Sequence, residues 1–302
     1  MTLSFRGRFW RIVLGVIFKG KRLTIAENRT ITAQSGQMMR KIPNDVQLQK
    51  IEINGIQAVW IRPTRANQDQ VAIHLHGGGY VTGSIESHLM MCIPMAQTLK
   101  MAILLPEYRL APEYPFPAAL DDALSVYKWL LSQGFQPANI FISGDSAGGG
   151  LSLATVLALR NAGLPLPAGI VCISPWTDLT LKGKSHITNA KSETLLRTDI
   201  LREWAHAYAS PDNFENPLVS PLYADFHGFP PIFIQVGSNE IFLDDATMLA
   251  RKAQADGVFV DLKVWDSVWH AWPVLGNLIP ESKQAFEQIS QFVQMLVSMT
   301  KK

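Results

Sequence analysis

The sequence predicts an α/β fold: a mostly parallel β-sheet with helices on both faces. Three observations predict it. From residue 71 to the C-terminus, short apolar runs of strand length alternate with longer helical patterns, as in sheets whose strands are joined by helical crossovers. Within that alternation, Gly144-Asp145-Ser146-Ala147-Gly148 stands between an apolar strand, residues 140–143, and a helix rich in Leu and Ala. Upstream, His76-Gly77-Gly78-Gly79-Tyr80 follows a second apolar strand, residues 71–75.

Residues 9–18 are strongly apolar but interrupted by Arg11. The run is too short to cross a bilayer, which takes about 20 residues, and no small-residue cleavage site follows it. It is expected to be a helix packed on the domain, with no stable membrane anchor. An interfacial membrane contact is the other reading. Residues 47–53 and 56–62 read as strands joined by Asn54-Gly55, a dipeptide that favours a tight type I′ turn. Next come a strand at 71–75, a helix at 87–99 with a kink at Pro94, a strand at 102–105 and a helix at 118–131. After the strand at 140–143, further strands fall at 169–174, 232–236 and 258–264. The last helix places Phe286, Ile289, Phe292, Val293 and Leu296 at helical spacing. Between Pro175 and Pro231 no strand is evident, only helical pieces such as Thr198–Tyr208.

Length and composition narrow the function. A chain of 302 residues with 47% hydrophobic content suits one α/β domain with insertions. The formal net charge is +2 with scattered Lys and Arg, which argues against nucleic-acid binding. Cys92 and Cys172 lie in apolar surroundings and read as buried free thiols of a reducing compartment, the cytoplasm. No Cys/His cluster has metal-ligand spacing, and His74-x-His76 lacks a carboxylate partner nearby. No metal or cofactor is expected.

The glycine motifs carry chemistry. A serine on a sharp strand-to-helix turn exposes its hydroxyl, and small neighbours let the backbone pass close by. Three consecutive glycines suit no regular element, but bare N–H groups there can hold an oxyanion. Ser146 needs a base, and histidine suits both proton pickup and return. Of seven histidines, only His270 follows the candidate acids in the chain order Ser…acid…His. The acid should follow the strand at 232–236, where Glu240, Asp244 and Asp245 stand. The two aspartates precede a helix and suit N-capping. Asp145 and Arg109 read as buried polar groups, each the other's candidate partner.

These residues resemble the bacterial hormone-sensitive-lipase-like esterases of the α/β-hydrolase superfamily. The matching segments are 76–80, Tyr108-Arg109-Leu110-Ala111-Pro112-Glu113, 144–149 and Ser174-Pro175-Trp176. A fifth segment, 237–245, departs from the family's Asp-Pro-Leu-x-Asp: the triad acid position is Glu240, and Ile241 replaces the proline. The resemblance implies an α/β-hydrolase fold with a helical cap. The cap would come from residues 1–45 and part of 175–230, set on a catalytic domain at 46–302. It implies a triad of Ser146, Glu240 and His270, and an oxyanion hole from Gly78, Gly79 and Ala147, with Gly77 the weaker donor. His76 would orient the glycine loop. Tyr80, Trp204 and Tyr208 are candidate pocket residues, and Trp10 a further cap-lining candidate. The implied reaction is hydrolysis of small to medium uncharged acyl esters. An amide or formamide hydrolase on the same triad is an alternative, and a receptor of the same fold is another. The resemblance also implies a homodimer through the edge strand.

Overall fold

The computed structural model describes residues 3–18, 21–36 and 42–299. Two helices, α1 (Phe5–Phe18) and α2 (Ile25–Gly36), precede the sheet. β1 (Val46–Ile53) and β2 (Ile56–Pro63) form the expected hairpin. Asn54 and Gly55 have φ of 51° and 86°, the two positive values a type I′ turn requires. Then β3 (Asn67–Leu75), α3 (Ile85–Leu99), β4 (Met101–Pro106), α4 (Ala118–Ser132), β5 (Ile140–Asp145), α5 (Ala147–Asn161) and β6 (Gly169–Ile173) alternate. Between β6 and the next strand the described residues form helical pieces only, chiefly α6 (Ser185–Thr188) and α7 (Thr198–Tyr208). β7 (Ile232–Gly237), α8 (Leu243–Ala255), β8 (Val260–Trp265) and α9 (Pro280–Met299) follow.

The sheet order is β1-β2-β4-β3-β5-β6-β7-β8. Neighbours pair in parallel from β4 to β8, while β2 is antiparallel to both β1 and β4. Successive strand residues face opposite sides, and both sides are buried. On β4, Ala102 and Leu104 join a core with α4, α5 and α8, while Met101, Ile103 and Leu105 join a core with α3 and α9. Burial of each such Leu or Ile is worth roughly 1.5–3 kcal/mol, so these strands are apolar throughout rather than alternating. α9 buries Phe286, Ile289, Phe292, Val293 and Leu296, as its spacing predicts.

α3 starts two residues before the sequence expectation because Ser84 and Ser87 form a reciprocal capping box. The helix continues through Pro94. The N-terminal helices are fastened to the sheet domain. Trp10 and Leu14 of α1 pack with Leu3, Trp265, Val268, Trp269 and Trp272, so α1 does pack on the domain. Arg29 of α2 donates to the carbonyls of Val81 (2.7 Å) and Ala111 (2.8 Å) and pairs with Glu113. α2 is thereby tied to the segment just after the glycine loop. Cys92 and Cys172 are free and buried.

Candidate active site

β5 ends at Asp145 and α5 begins at Ala147, so Ser146 alone makes the turn. Its φ and ψ are 54° and −124°, a conformation side chains avoid at a cost of about 1–3 kcal/mol. The residues at and after the end of β6 hold it in place. Ser146 donates its N–H to the Ile173 carbonyl at 2.8 Å, and its own carbonyl accepts from the Trp176 N–H at 2.9 Å. Gly148 lies so close to the Leu75 carbonyl that a Cβ there would collide with it. Tyr80, Ser174 and Ala271 also have positive φ. All three lie in loops around the same edge of the sheet, where such strain commonly gathers at functional sites.

β3 ends at Leu75, paired with Gly144, so the glycine loop opens beside the turn at Ser146. The Gly77 N–H donates to Asp145 Oδ1 at 3.0 Å and is therefore engaged. Among the described residues, no protein acceptor takes the N–H groups of Gly78, Gly79 or Ala147. Gly79 has φ 63° and abuts the Trp204 ring, leaving no room for a side chain. His76 Nδ1 donates to the Gly77 carbonyl at 2.9 Å, and the ring stacks on Tyr108 at 4.1 Å. Burial pushes its pKa down to about 3, so the ring is neutral and acts as a fixed brace.

Asp145 and Arg109 do not pair. Arg109 grips Asp122 of α4 with Nε and Nη2 (2.7–3.0 Å). Asp145 instead lies buried against His74 Nε2 (3.2 Å) and His88 Nε2 (3.3 Å). Only strand pairing and helix placement create this cluster: His74 is on β3, Asp145 on β5 and His88 on α3. Burial opposes ionisation of Asp145, but the two imidazoles outweigh it and hold its carboxyl well below the usual range.

Glu240 follows β7 and His270 follows β8, two adjacent parallel strands. His270 Nδ1 lies 2.9 Å from Glu240 Oε2, and both groups are buried. Glu240 Oε1 accepts from the Gly237 N–H (2.6 Å) and Ser174 Oγ (2.7 Å). Ser174 Oγ in turn accepts from the Ala271 N–H (3.1 Å). Ser174, next to the residue that binds Ser146, therefore joins three loops. β5, β6, β7 and β8 are consecutive neighbours, so Ser146, Ser174, Glu240 and His270 all lie off the carboxyl ends of adjacent strands. With Glu240 on Nδ1, Nε2 is the nitrogen open to a hydroxyl. Burial disfavours the His270 cation, but bonded Glu240, then Glu193 and Asp145, raise its pKa above 6.5.

Glu193 is the residue that sequence reasoning missed. It lies between α6 and α7 and is 2% exposed. Its Oε1 accepts from the Thr194 (2.7 Å) and Leu195 (2.9 Å) N–H groups, and Oε2 from the Ile241 N–H (3.2 Å). The available signal was Ile241 at the proline position: proline has no N–H, and isoleucine supplies the donor Glu193 takes. Asn189 reinforces the contact by donating to the carbonyls of Ser238 (3.0 Å) and Glu240 (2.8 Å). Burial raises the pKa of Glu193, and its charge helps to raise that of His270. Glu193→Gln is therefore expected to shift the acid limb of the pH–rate profile to lower pH, with kcat within about tenfold. An unmoved limb would reduce Glu193 to a purely structural tie.

Asp244 and Asp245 do not cap α8, which has no side-chain cap. Asp245 accepts from the N–H groups of Thr177 (2.9 Å) and Asp178 (3.0 Å), and Asp244 from that of Ser185 (3.0 Å). They tie the segment after β6 to α8. The pocket candidates lie together: Tyr80 stacks on Tyr208 at 3.7 Å with both rings buried, and Trp204 covers Gly79. Trp10 belongs to the cluster under α1 instead. Asp225, His227 and Asp256 bring possible metal-ligating atoms within 4.8 Å of one another, a grouping that includes none of these site residues.

Residues 72–274 match a family model described as alpha/beta hydrolase fold. The chain is 40% identical over 252 residues to an acetyl-hydrolase of Streptomyces hygroscopicus, covering 83% of each protein. It is 32% identical over 249 residues to an ethyl acetate hydrolase of Pseudomonas putida, covering 78% of this chain and 77% of that one. The crystal structure of an esterase from the bacterial hormone-sensitive lipase family superposes with a TM-score of 0.93 at 39% identity, covering 98% of this chain and all of that one. With the strained serine, the glycine loop and the buried Glu–His pair at one sheet edge, this likeness leads to one conclusion: the chain belongs to the bacterial hormone-sensitive-lipase-like esterases of the α/β-hydrolase fold and is a serine ester hydrolase.

Proposed function

We propose that the protein is a carboxylesterase for small to medium acyl esters, working through an acyl-enzyme on Ser146. The observation that carries this reading is the 2.9 Å contact between Glu240 and His270, which lie off the ends of strands two and three places from that of Ser146 in the sheet. His270 Nε2 takes the Ser146 proton as Oγ attacks the acyl carbon. The oxyanion is received by the N–H groups of Gly78, Gly79 and Ala147, which no protein acceptor engages among the described residues. Glu240 stabilises the imidazolium without taking its proton. His270 then protonates the leaving alcohol, and water repeats the cycle to release the acid. Residues 1–45 and the helical part of 175–230 form the cap. Tyr80, Trp204 and Tyr208 border the acyl side, where Trp204 over Gly79 favours short acyl groups. The two buried free thiols accord with a cytoplasmic protein. The exposed Phe259 and Val264, just before and on edge strand β8, suit a homodimer contact.

The acid is tested by comparing two variants. Glu240→Gln is expected to lower kcat by about 10³–10⁴-fold, because an amide cannot stabilise the imidazolium and can hold the wrong tautomer. Asp245→Asn should keep kcat within about tenfold. It should lose about 1–3 kcal/mol of stability, because the amide can turn a donor toward the buried Thr177 and Asp178 N–H groups. A folded but dead Asp245→Asn beside an active Glu240→Gln would overturn the assignment. A panel of acetate, butyrate and longer esters, run beside matched amides, reads the substrate class.

A further inference from the structure

α1 is apolar on two opposite faces. Gly7, Trp10 and Leu14, three and four residues apart, face inward; Trp10 and Leu14 pack with Trp265, Trp269 and Trp272. Phe5, Phe9, Ile12 and Val16 recur at i, i+4, i+7 and i+11 on the other side and are 85%, 54%, 68% and 74% exposed. A helix apolar all round is normally buried all round, and a contiguous exposed apolar ridge marks an interaction surface.

The charge around the ridge says what covers it. Six cations and no acid fall within the first 26 residues: Arg6, Arg8, Arg11, Lys19, Lys21 and Arg22. The whole chain is only +2, so everything after residue 26 is net acidic by four charges. A second copy of the same face would set these cations against their own kind. An apolar ridge with basic flanks is the composition of a helix lying in a lipid interface, and anionic headgroups attract such flanks. No helix among the described residues is long and apolar enough to cross a membrane. We propose that the outer face of α1 docks reversibly, in the plane of the surface, on a bilayer containing anionic phospholipid. Phe5, Phe9, Ile12 and Val16 enter the headgroup boundary, and the exposed Arg6, Arg8 and Lys21 contact the lipid phosphates, while Arg22 stays paired with Glu203.

The test is co-sedimentation of the 302-residue chain with vesicles of phosphatidylcholine alone or mixed with phosphatidylglycerol. Wild type is expected to bind the mixed vesicles and to leave them at ~0.5 M salt, where surface charges are screened. The Phe9→Ser/Ile12→Ser double variant should lose at least about tenfold in bound fraction. It should hydrolyse a water-soluble acetate ester as wild type does, because both side chains are exposed and lie outside the catalytic machinery. Arg6→Glu should weaken binding to mixed vesicles while leaving that hydrolysis intact. Wild type remaining in solution with both vesicle types would overturn the proposal. So would undiminished binding by the double variant. A wild-type dimer that becomes monomeric in the double variant, with no vesicle binding by either, would assign the ridge to self-association instead.

Discussion

Replacing Ser146 with alanine is expected to lower kcat by roughly 10⁶-fold, the scale seen when the nucleophile of a cooperating triad is removed. The fold should barely notice. The Ser146 side chain makes no capping hydrogen bond at the start of α5, and alanine retains the same strained backbone. The site therefore separates stability from chemistry. Ser146→Gly removes the hydroxyl and also relieves the positive φ, so it should be equally inactive yet more stable by about 1 kcal/mol. Thermal melts beside ester turnover check both results. A serine-directed phosphonate should label wild type at Ser146 alone. Full turnover in the alanine variant, or labelling at another serine, would refute the mechanism.

His270→Ala is expected to cost about as much, because base and nucleophile act as one unit. The pH dependence makes the assignment specific. Only the neutral imidazole can accept the Ser146 proton, so kcat/KM falls as pH drops through the His270 pKa of the free enzyme. Glu240, Glu193 and Asp145 outweigh burial and raise that pKa above 6.5. The acid limb should therefore lie on the neutral side of an ordinary histidine. It should move to lower pH when the Glu240 carboxylate is neutralised, and vanish with His270. A limb well below 6.5 in wild type would mean that desolvation, not the carboxylates, governs the base.

Much of this molecule was legible in the chain itself. Strand and helix periods reflect local side-chain direction, so β1 to β8 and α9 appear close to where the patterns placed them. The glycine motifs were legible because only special backbone conformations require such residues, and chain order alone singled out His270 among seven histidines. Boundaries moved by a few residues: the Ser84 capping box starts α3 two residues early, β3 begins at Asn67 rather than at 71, and β8 begins at Val260 rather than at 258.

Partnership among buried polar groups was decided by the tertiary structure. Asp145 finds His74 and His88 rather than Arg109 because β3, β5 and α3 converge there, while Asp122 on α4 reaches Arg109 first. Asp245 was expected to cap its own helix, yet it binds Thr177 and Asp178, 68 and 67 residues away in sequence. Glu193 carries no motif, and it becomes part of the acid loop only when the segment before α7 folds over Ile241. The two faces of α1 divide the same way. Its sequence shows an apolar helix, but only packing against Trp265, Trp269 and Trp272 determines which face is buried and which stays exposed. Local patterns are set by backbone geometry and burial, which the sequence carries residue by residue. A buried polar group bonds whichever complementary group the fold brings within hydrogen-bond reach, and that depends on chain packing over long sequence separations.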